Sequence, residues 1–218
     1  MLSAKEANRR YFRQAYRVGR HGWATEKPSP YATGFLKRLL PLAQGRRLLD
    51  LGCGEGRHAI AAARLGFKVT AVDYEALALK RARDFARMAG VRGIRFCRAN
   101  ALRMALPRSC FDVILDYGCL HHQRKADWPA YLASILGVLK PQGFLVLSVF
   151  SSRFYLFRGS RRPWHIAQGA YRRCFRPKDI VRLLGQDFEV LRMREEKEGD
   201  QRGFWHVLMR RRARLGQT

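Results

Sequence analysis

The chain has 218 residues and a formal net charge of +26, so it is long enough for one sizeable core and its charge is compatible with a polyanionic partner. No apolar run approaches the length of a membrane span, and the N-terminus lacks the uncharged apolar stretch of a secretory signal. The five cysteines form no Cys-x-x-Cys pair, which argues against a disulfide framework or a zinc site and predicts a reducing, cytoplasmic location.

The first 45 residues predict one or two helices, interrupted where Pro28 and Pro30 remove backbone N–H donors. From Arg47 onward, short apolar runs alternate with helical patterns, which is typical of a parallel α/β sheet. The predicted strands cover 47–51, 68–73, 94–99, 111–118 and 143–150, and the predicted helices between them cover 57–66, 75–90 and 128–140.

The last third of the chain has a different pattern. Residues 151–173 show no clear period and are rich in arginine and aromatic residues, while 176–185 predict a helix with Pro177 in its first turn. Two closing strands are predicted at 187–195 and 204–212, as antiparallel neighbours. We therefore expect one α/β domain, a Rossmann-like, doubly wound, mostly parallel seven-stranded sheet with an antiparallel final strand pair.

A glycine-rich turn joins the first predicted strand to the helix that follows it. Gly52, Gly54 and Gly56 allow the backbone to turn sharply and to approach a ligand closely. Asp73 ends the next strand, where an acid can accept hydrogen bonds from ribose hydroxyls. The spacing is Gly-x-Gly-x-Gly, with Arg57 where the third glycine of the pyrophosphate-binding fingerprint would stand.

Two acidic residues set the charge of this turn. Asp50 immediately precedes the turn and Glu55 lies within it, so their field disfavours a pyrophosphate and suits a cationic ligand. S-adenosylmethionine (SAM) carries an ammonium group, a sulfonium group and a ribose for Asp73. The sequence therefore predicts SAM as the cofactor.

Four ordered motifs extend this interpretation: LLDLGCGEGRHA, VTAVDYE, FDVILDYGCLHH and VLKPQGFLVLS. Together they resemble the class I SAM-dependent methyltransferases, closely over residues 47–150 and loosely elsewhere. The segment YFRQAYRVGRHGWATEKPSPY also looks like the one before the first motif in tellurite-resistance and thiopurine-type methyltransferases. The resemblance implies a helical lid over 1–45, a cofactor-binding core over 46–150, and a substrate insertion with closing strands over 151–218.

The resemblance also implies roles for residues at matching positions. The glycine turn borders the methionine moiety, Asp73 holds the ribose with Tyr74 beside the adenine, and Trp23 belongs to the lid. Asn100 departs from the Asp that the family often has at the adenine edge, although an amide can still donate and accept hydrogen bonds. The candidate cofactor-binding residues are Trp23, Asp50, Gly52, Cys53, Gly54, Asp73, Tyr74, Asn100, Ala101 and Asp116, and we expect no metal site.

Candidate catalytic residues lie after the fourth predicted strand and in the insertion. The resemblance puts Asp116 and Tyr117 next to the transferred methyl group, and His121 or His122 could take a proton near neutral pH. The alternative is that one histidine only packs and caps the following loop. Methyl transfer needs no general acid, and a soft or anionic acceptor needs only alignment and exclusion of water. The candidate catalytic residues are Tyr117, His121 and Arg153.

The arginine and aromatic residues of 151–173 leave three roles open: a pocket for a small anion, a grip on a polynucleotide, or a solvated loop that shields the core. The positive charge is spread along the chain without a block of like charges, so it fits a generally basic surface as well as a nucleic-acid surface. We expect methylation of a small molecule, such as a thiol, a chalcogen oxyanion or another soft or anionic acceptor, by a monomer or homodimer. RNA methylation is the alternative.

Overall fold

The computed structural model describes residues 4–19, 21–25, 27–196 and 203–213. Within these described residues, nine strands form a sheet and a separate hairpin. The sheet contains β1 (Arg47–Leu51), β2 (Lys68–Asp73), β3 (Arg95–Arg98), β4 (Phe111–Tyr117), β5 (Leu139–Phe150), β8 (Phe188–Glu195) and β9 (Phe204–Arg211), and the hairpin contains β6 (Trp164–Ala167) and β7 (Ala170–Arg173).

The strand order in the sheet is β3-β2-β1-β4-β5-β9-β8. The first five strands run parallel, and β9 lies antiparallel to both β5 and β8. Because parallel strands end at the same edge of a sheet, the chain segments that follow β1, β2, β4 and β5 meet at one carboxyl edge. This topology confirms the predicted fold class.

Helices cover both faces of the sheet. On one face α2 (Pro30–Leu39), α3 (Arg57–Arg64) and α4 (Ala76–Met88) surround an apolar cluster that includes Leu36, Ala59 and Leu79. On the other face α5 (Trp128–Val138) and α6 (Pro177–Leu184) surround a second cluster that includes Tyr131 and Ile180. The strands between the two layers are therefore buried on both sides, which explains their continuous apolar runs. No helix within the described residues is long and apolar enough to cross a membrane.

The predicted bounds agree closely with the structure in the core. β1 and β2 have the predicted bounds, and α3, α4, α5 and α6 each begin and end within about two residues of the prediction. β5 begins at Leu139 rather than at residue 143, and Gln142 within it has a φ of 61°. The predicted Lys-Pro-Gln-Gly turn therefore lies inside β5 as an irregularity in its pairing with β4.

Residues 151–173 contain structure that their sequence pattern did not predict. A 3-10 turn covers Tyr155–Phe157, and β6 pairs with β7 through a two-residue turn. Gln168 and Gly169 in this turn have φ values of 53° and 83°, the conformation that suits the twist of a tight hairpin. Strands of four residues are too short to show a clear period of two, so the sequence pattern did not predict the hairpin.

The hairpin packs against the N-terminal helix α1 (Ala4–Val18). The backbone N–H of Tyr171 donates a hydrogen bond of 3.2 Å to Oδ1 of Asn8. A Cβ atom on Gly169 would lie only 3.1 Å from the carbonyl oxygen of Ala7, so the two backbones are in close contact. The helix and the hairpin together form a roof over the carboxyl edge of the sheet.

Candidate active site

A cavity of about 1140 Å³ lies under this roof. Its lining combines the turn after β1, the ends of β4 and β5, and aromatic residues of α1. A ligand at this position would therefore contact the carboxyl edge of the sheet on one side and the roof on the other.

The glycine turn needs glycine for two separate reasons. Gly52, Gly54 and Gly56 have φ values of 69°, 56° and 85°, which residues with a side chain rarely adopt. A Cβ atom on Gly54 would also lie 3.0 Å from the hydroxyl oxygen of Tyr16 in α1. The absence of side chains thus lets the roof approach the turn.

Asp50 carries a buried oxygen atom without a partner. The side chain lines the cavity and is almost fully buried, and no described residue forms a hydrogen bond with Oδ2. Burial, together with the nearby carboxylates of Asp116 and Asp73, raises the pKa of Asp50 to about 7, although Arg57 opposes the shift. A cation placed beside Asp50 would satisfy this oxygen and favour the ionised form.

Glu55 is engaged by the protein, which corrects the role that the sequence suggested for it. Its Oε1 accepts a hydrogen bond of 2.8 Å from Nη1 of Arg81, and Nε2 of His21 lies 3.6 Å from the same oxygen. The interactions with His21 and Arg81 lower the pKa of Glu55 although partial burial opposes them. Its charge is therefore matched by Arg81, and the electrostatic preference for a cation depends on Asp50.

Asp73 holds the turn in place from the end of β2. Its Oδ2 accepts a hydrogen bond of 2.9 Å from the backbone N–H of Gly54, and its Oδ1 accepts one of 2.9 Å from that of Glu75. Burial raises the pKa of Asp73 to about 6, while these backbone donors oppose the shift. Each carboxylate oxygen has two lone pairs, so both can accept a further hydrogen bond.

Aromatic residues of the roof close over the cavity. Trp23 stacks on His21, with ring centroids 4.4 Å apart, and packs against Phe12 and Tyr16 at 5.4 and 6.0 Å. Phe12 also meets the ring of Tyr74 edge to face at 6.2 Å. The aromatic cluster therefore covers the region between the glycine turn and the end of β2.

His121 and His122 both line the cavity, but their Nδ1 atoms have opposite kinds of hydrogen-bond partner: a backbone N–H for His121 and a backbone carbonyl for His122. His121 stacks on Phe150 at 3.6 Å, and its Nδ1 accepts a hydrogen bond of 3.3 Å from the backbone N–H of Phe150. Nδ1 of His122 lies 2.7 Å from the carbonyl oxygen of Tyr171, which can only accept. Burial lowers the pKa of His121 well below its usual value and lowers that of His122 to about 4, so both rings are neutral at physiological pH.

Comparison with known proteins matches residues 48–143 to a family model described as a methyltransferase domain. Over 127 residues the chain is 35% identical to 27-O-demethylrifamycin SV methyltransferase of Amycolatopsis mediterranei. This alignment covers 57% of this chain and 46% of that protein. Over 125 residues it is 34% identical to a ubiquinone biosynthesis O-methyltransferase of Paracidovorax citrulli, covering 56% and 51%. The chain spans about half the length of these relatives.

A solved structure matches nearly the whole fold. The 1,6-didemethyltoxoflavin-N1-methyltransferase of Burkholderia thailandensis, with bound 1,6-didemethyltoxoflavin and S-adenosylhomocysteine, aligns with a TM-score of 0.76 and 25% identity, covering 98% of this chain and 92% of that chain. These matches support a class I SAM-dependent methyltransferase, with the methyltransferase domain over residues 48–143. The more specific likeness to tellurite-resistance and thiopurine-type enzymes stays a prediction.

The residues present fit the cofactor of this methyltransferase family. The unpartnered oxygen of Asp50 suits the ammonium group of the methionine moiety. Gly52, Cys53 and Gly54 line the cavity beside it, where no side chain would obstruct an extended ligand at the glycines. Asp73 keeps free lone pairs for ribose hydroxyls, although its side chain does not line the cavity itself.

Asp116 is occupied by the protein and does not line the cavity. Its carboxylate accepts hydrogen bonds from the hydroxyl of Tyr131 at 2.6 Å and from the backbone N–H groups of Cys119 and Leu120 at 2.8 and 3.0 Å. These bonds shape the turn that follows β4. We therefore revise Asp116 from a cofactor-binding candidate to a residue that positions the turn.

Tyr117 lines the cavity, whereas Arg153 does not. The ring of Tyr117 packs on His58 at 4.4 Å, and the guanidinium of Arg57 lies 5.2 Å from its centroid. Arg153 is largely exposed, and its Nε lies 3.5 Å from Oε2 of Glu195. The structure therefore does not bring Arg153 into the cavity, which argues against the catalytic assignment.

The remaining candidates lie at the ends of β2 and β3, beside the cavity. The hydroxyl of Tyr74 is buried and has no hydrogen-bond partner among the described residues. The side chain of Asn100 accepts a hydrogen bond of 3.0 Å from the backbone N–H of Leu102, and Ala101 between them is half-buried. Tyr74, Asn100 and Ala101 do not line the cavity, and their place beside the adenine stays a prediction.

The sequence led us to expect a helical lid over 1–45, but not the hairpin β6–β7 that completes the roof. Tyr16 covers Gly54, and Arg172 is the arginine of the insertion that lines the cavity. The spacing of Phe12 and Tyr16, four residues apart, places them on one helix face and could have indicated that α1 faces a ligand. No sequence pattern in 151–173 distinguishes Arg172 from the other arginines of this segment. The fold of the hairpin β6–β7 determines which arginine faces the cavity.

Proposed function

We propose that this protein transfers a methyl group from SAM to a small molecule held under the roof. The aromatic cavity under the roof is the observation that carries the proposal, since α1 and the hairpin cover one side of it and leave space suited to a small ligand. The names of the relatives, which are methyltransferases of a rifamycin, of ubiquinone biosynthesis and of a toxoflavin precursor, support a small acceptor.

When bound, the cofactor supplies a methyl group on a sulfonium centre. Asp50 binds the ammonium group and Asp73 the ribose, while the positive φ values of Gly52 and Gly54 keep the turn open to the ligand. Trp23 and the aromatic face of α1 exclude water, so that the acceptor is aligned without competition from hydrolysis. The three segments 1–45, 46–150 and 151–218 then act together as lid, core and substrate insertion.

The lining favours a flat, weakly polar acceptor over a hydrated oxyanion. Phe150, Phe154 and Phe204 form an apolar wall of the cavity, with ring centroids 3.9 to 6.0 Å apart. Arg172 is a cationic side chain on the same side and could hold a negatively polarised oxygen or sulfur atom. Thiols and chalcogen oxyanions, the acceptors expected from the sequence, stay candidates in addition to flat aromatic acceptors.

RNA methylation is the second candidate, and one surface feature favours it. The guanidinium of Arg162 lies 5.6 Å from the ring of Trp164, and both residues are exposed on the hairpin side, as are Arg158 and Arg161. Exposed arginine–aromatic pairs can stack on unpaired bases. This feature lies outside the cavity, so the small-molecule proposal does not depend on it.

Calorimetry with SAM followed by a screen of methyl acceptors tests both candidates. We expect binding by the wild type, weaker binding by Asp73→Ala, and transfer of labelled methyl to small aromatic acceptors. Absence of cofactor binding would contradict the proposal, and so would transfer confined to RNA with nanomolar RNA affinity that persists at physiological salt. Sedimentation in the same buffer distinguishes a monomer from a homodimer.

A further inference from the structure

We propose that His122, rather than His121, accepts the proton of the methyl acceptor, and that the acceptor is a hydroxyl or N–H group on a flat aromatic ring. The proposal rests on the proposed methyltransferase function and adds a catalytic base and a substrate class to it. It follows from the hydrogen bonds of the two adjacent rings and from the side chains around them.

The hydrogen bond to Tyr171 fixes the tautomer of His122. A carbonyl oxygen has no proton to donate, so Nδ1 of His122 must carry the hydrogen in the 2.7 Å contact. Burial keeps the ring neutral, with a pKa lowered to about 4, and Nε2 therefore carries a lone pair. No described residue forms a hydrogen bond with Nε2, and the side chain lines the cavity. A proton acceptor is thus available at the cavity surface.

His121 has the opposite tautomer and is engaged by the protein. Its Nδ1 accepts the backbone N–H of Phe150, so in the neutral ring Nε2 carries the hydrogen. Nε2 also lies close to Gly118, where a Cβ atom would approach it to 3.4 Å. His121 can therefore donate at the cavity but cannot accept a proton there without losing its bond to Phe150.

The surroundings of His122 indicate which acceptor it would serve. Phe12 and Phe150 meet its ring edge to face at 4.9 and 6.1 Å, and the Phe154 ring stacks on Phe150 at 3.9 Å. Such rings favour a flat aromatic ligand. Arg172 lines the same cavity, and its positive charge lowers the pKa of His122 while it would stabilise negative charge on an acceptor oxygen or nitrogen.

The roof itself holds the base. Tyr171 belongs to β7, whose backbone is bound to Asn8 of α1, so the carbonyl that orients His122 is part of the hairpin. The base is therefore oriented when the roof is in place, and the same contact that fixes the tautomer also encloses the acceptor. This arrangement resembles the way in which a carboxylate orients a catalytic histidine, with a backbone carbonyl as the orienting group.

The atoms of the transfer balance with this base. The acceptor forms a bond from its oxygen or nitrogen to the methyl carbon, and the methyl–sulfur bond breaks with its electron pair left on sulfur. The O–H or N–H bond of the acceptor breaks as the new bond forms, and its proton moves to Nε2 of His122. The imidazolium keeps its Nδ1–H bond to Tyr171 and releases the proton from Nε2 to solvent after product leaves.

Two matched variants test the proposal. Asn in place of histidine can present an N–H group near the position of Nδ1 and has no counterpart of Nε2, so His122→Asn keeps a donor for Tyr171 and removes the base. His121→Asn is the control at the neighbouring position. Rates are measured with labelled SAM on phenols of graded acidity and on the corresponding thiophenols, whose thiolates need no base, and calorimetry measures SAM affinity.

We expect His122→Asn to lower kcat/KM for weakly acidic phenols about 100-fold or more, to change the thiophenol rates less than about threefold, and to keep SAM affinity near that of the wild type. Equal losses for phenols and thiophenols, or a larger phenol-specific loss in His121→Asn, would overturn the proposal. Turnover of thiols, selenite or tellurite without any phenol or N–H acceptor would also overturn it, yet would leave the methyltransferase function intact.

Nitrogen-15 NMR of labelled histidine provides a readout that does not depend on turnover. We expect His122 as the Nδ1–H tautomer and His121 as the Nε2–H tautomer between pH 6 and 8, with the variants used for assignment. A His122 ring that carries its hydrogen on Nε2 would refute the proposed base even if the enzyme methylates phenols.

Discussion

The guanidinium of Arg172 donates a hydrogen bond of 2.7 Å from Nη2 to the hydroxyl of Tyr11 and lies 4.9 Å from the centre of its ring. This contact joins two segments that are 161 residues apart in the chain, the hairpin and α1. Because Arg172 also lines the cavity, the same side chain closes the roof and contributes charge to the site.

The variant Tyr11→Phe removes the hydroxyl but keeps the ring under the guanidinium. A hydrogen bond to a charged group contributes about 1.5–3 kcal/mol, so we expect the roof to open more often. Hydrogen exchange measured by mass spectrometry should increase in α1 and β7, and KM for the acceptor should rise. Tyr155→Phe is the control, since Tyr155 is largely exposed. Unchanged exchange in α1 would contradict the role of this bond.

The contact between Gly54 and Tyr16 leads to a second prediction. In Gly54→Ala the new Cβ would lie 3.0 Å from the tyrosine hydroxyl at a φ of 56°, so we expect weaker SAM binding, by about tenfold or more, together with lower stability. Gly90→Ala is a matched control, because Gly90 has a φ of 68° but its new Cβ would have no atom within 4 Å. It should lose similar stability and keep its SAM affinity, as measured by calorimetry. Equal affinities of the two variants would show that the close approach is unimportant.

The sequence was informative where local pattern determines structure. The strands and helices of the core follow from apolar periodicity and from glycine positions, so 47–51 and 68–73 were predicted with their observed bounds. The hairpin within 151–173 was not predictable in this way, because its position depends on contacts with α1 that lie far away in sequence. The hairpin side of the roof is therefore the part of the site that needed the three-dimensional structure, whereas the helical side was expected as a lid over 1–45.

Residue type alone could not distinguish equivalent candidates within the site. Asp50 and Glu55 are both acids at the same turn, yet only Glu55 is matched by an arginine. His121 and His122 are adjacent and both line the cavity, yet different backbone partners give them opposite tautomers. Such differences arise from which side chains approach from other elements, and sequence spacing contains no information on them.

Asp50 predicts how the affinity for SAM depends on pH. Without a bound cation its pKa is about 7, mainly because of burial, so the carboxyl must lose its proton to bind an ammonium group. We expect the affinity to fall as the pH is lowered from 7.5 to 6, by at most about tenfold per pH unit. Asp50→Asn should bind about tenfold or more weakly at pH 7.5 and show a flatter profile in calorimetry. An exposed carboxylate offers the control, Asp84→Asn, and a wild-type profile that stays flat would argue against Asp50 as the ammonium ligand.

The raised pKa of Asp50 also predicts how the stability of the cofactor-free protein depends on pH. Burial raises the pKa of Asp50 to about 7 and those of Asp73 and Asp116 to about 6, from 3.8, so the folded state holds protons that the unfolded chain releases. The stability that this contributes is complete below pH 3.8 and is lost as the pH rises through 6 and 7. For Asp50 the loss at pH 8 is about 4 kcal/mol.

Asp50→Asn removes this contribution while keeping a side chain of the same shape. We expect the cofactor-free variant to melt several degrees above the wild type at pH 8, and the difference to narrow as the pH is lowered to 5, because the wild-type carboxyl is then protonated in the folded state. Differential scanning calorimetry at several pH values measures both quantities. A difference that does not vary with pH would instead mean that Asp50 affects stability through packing, and the charge on this acid could then not be what selects a cationic cofactor.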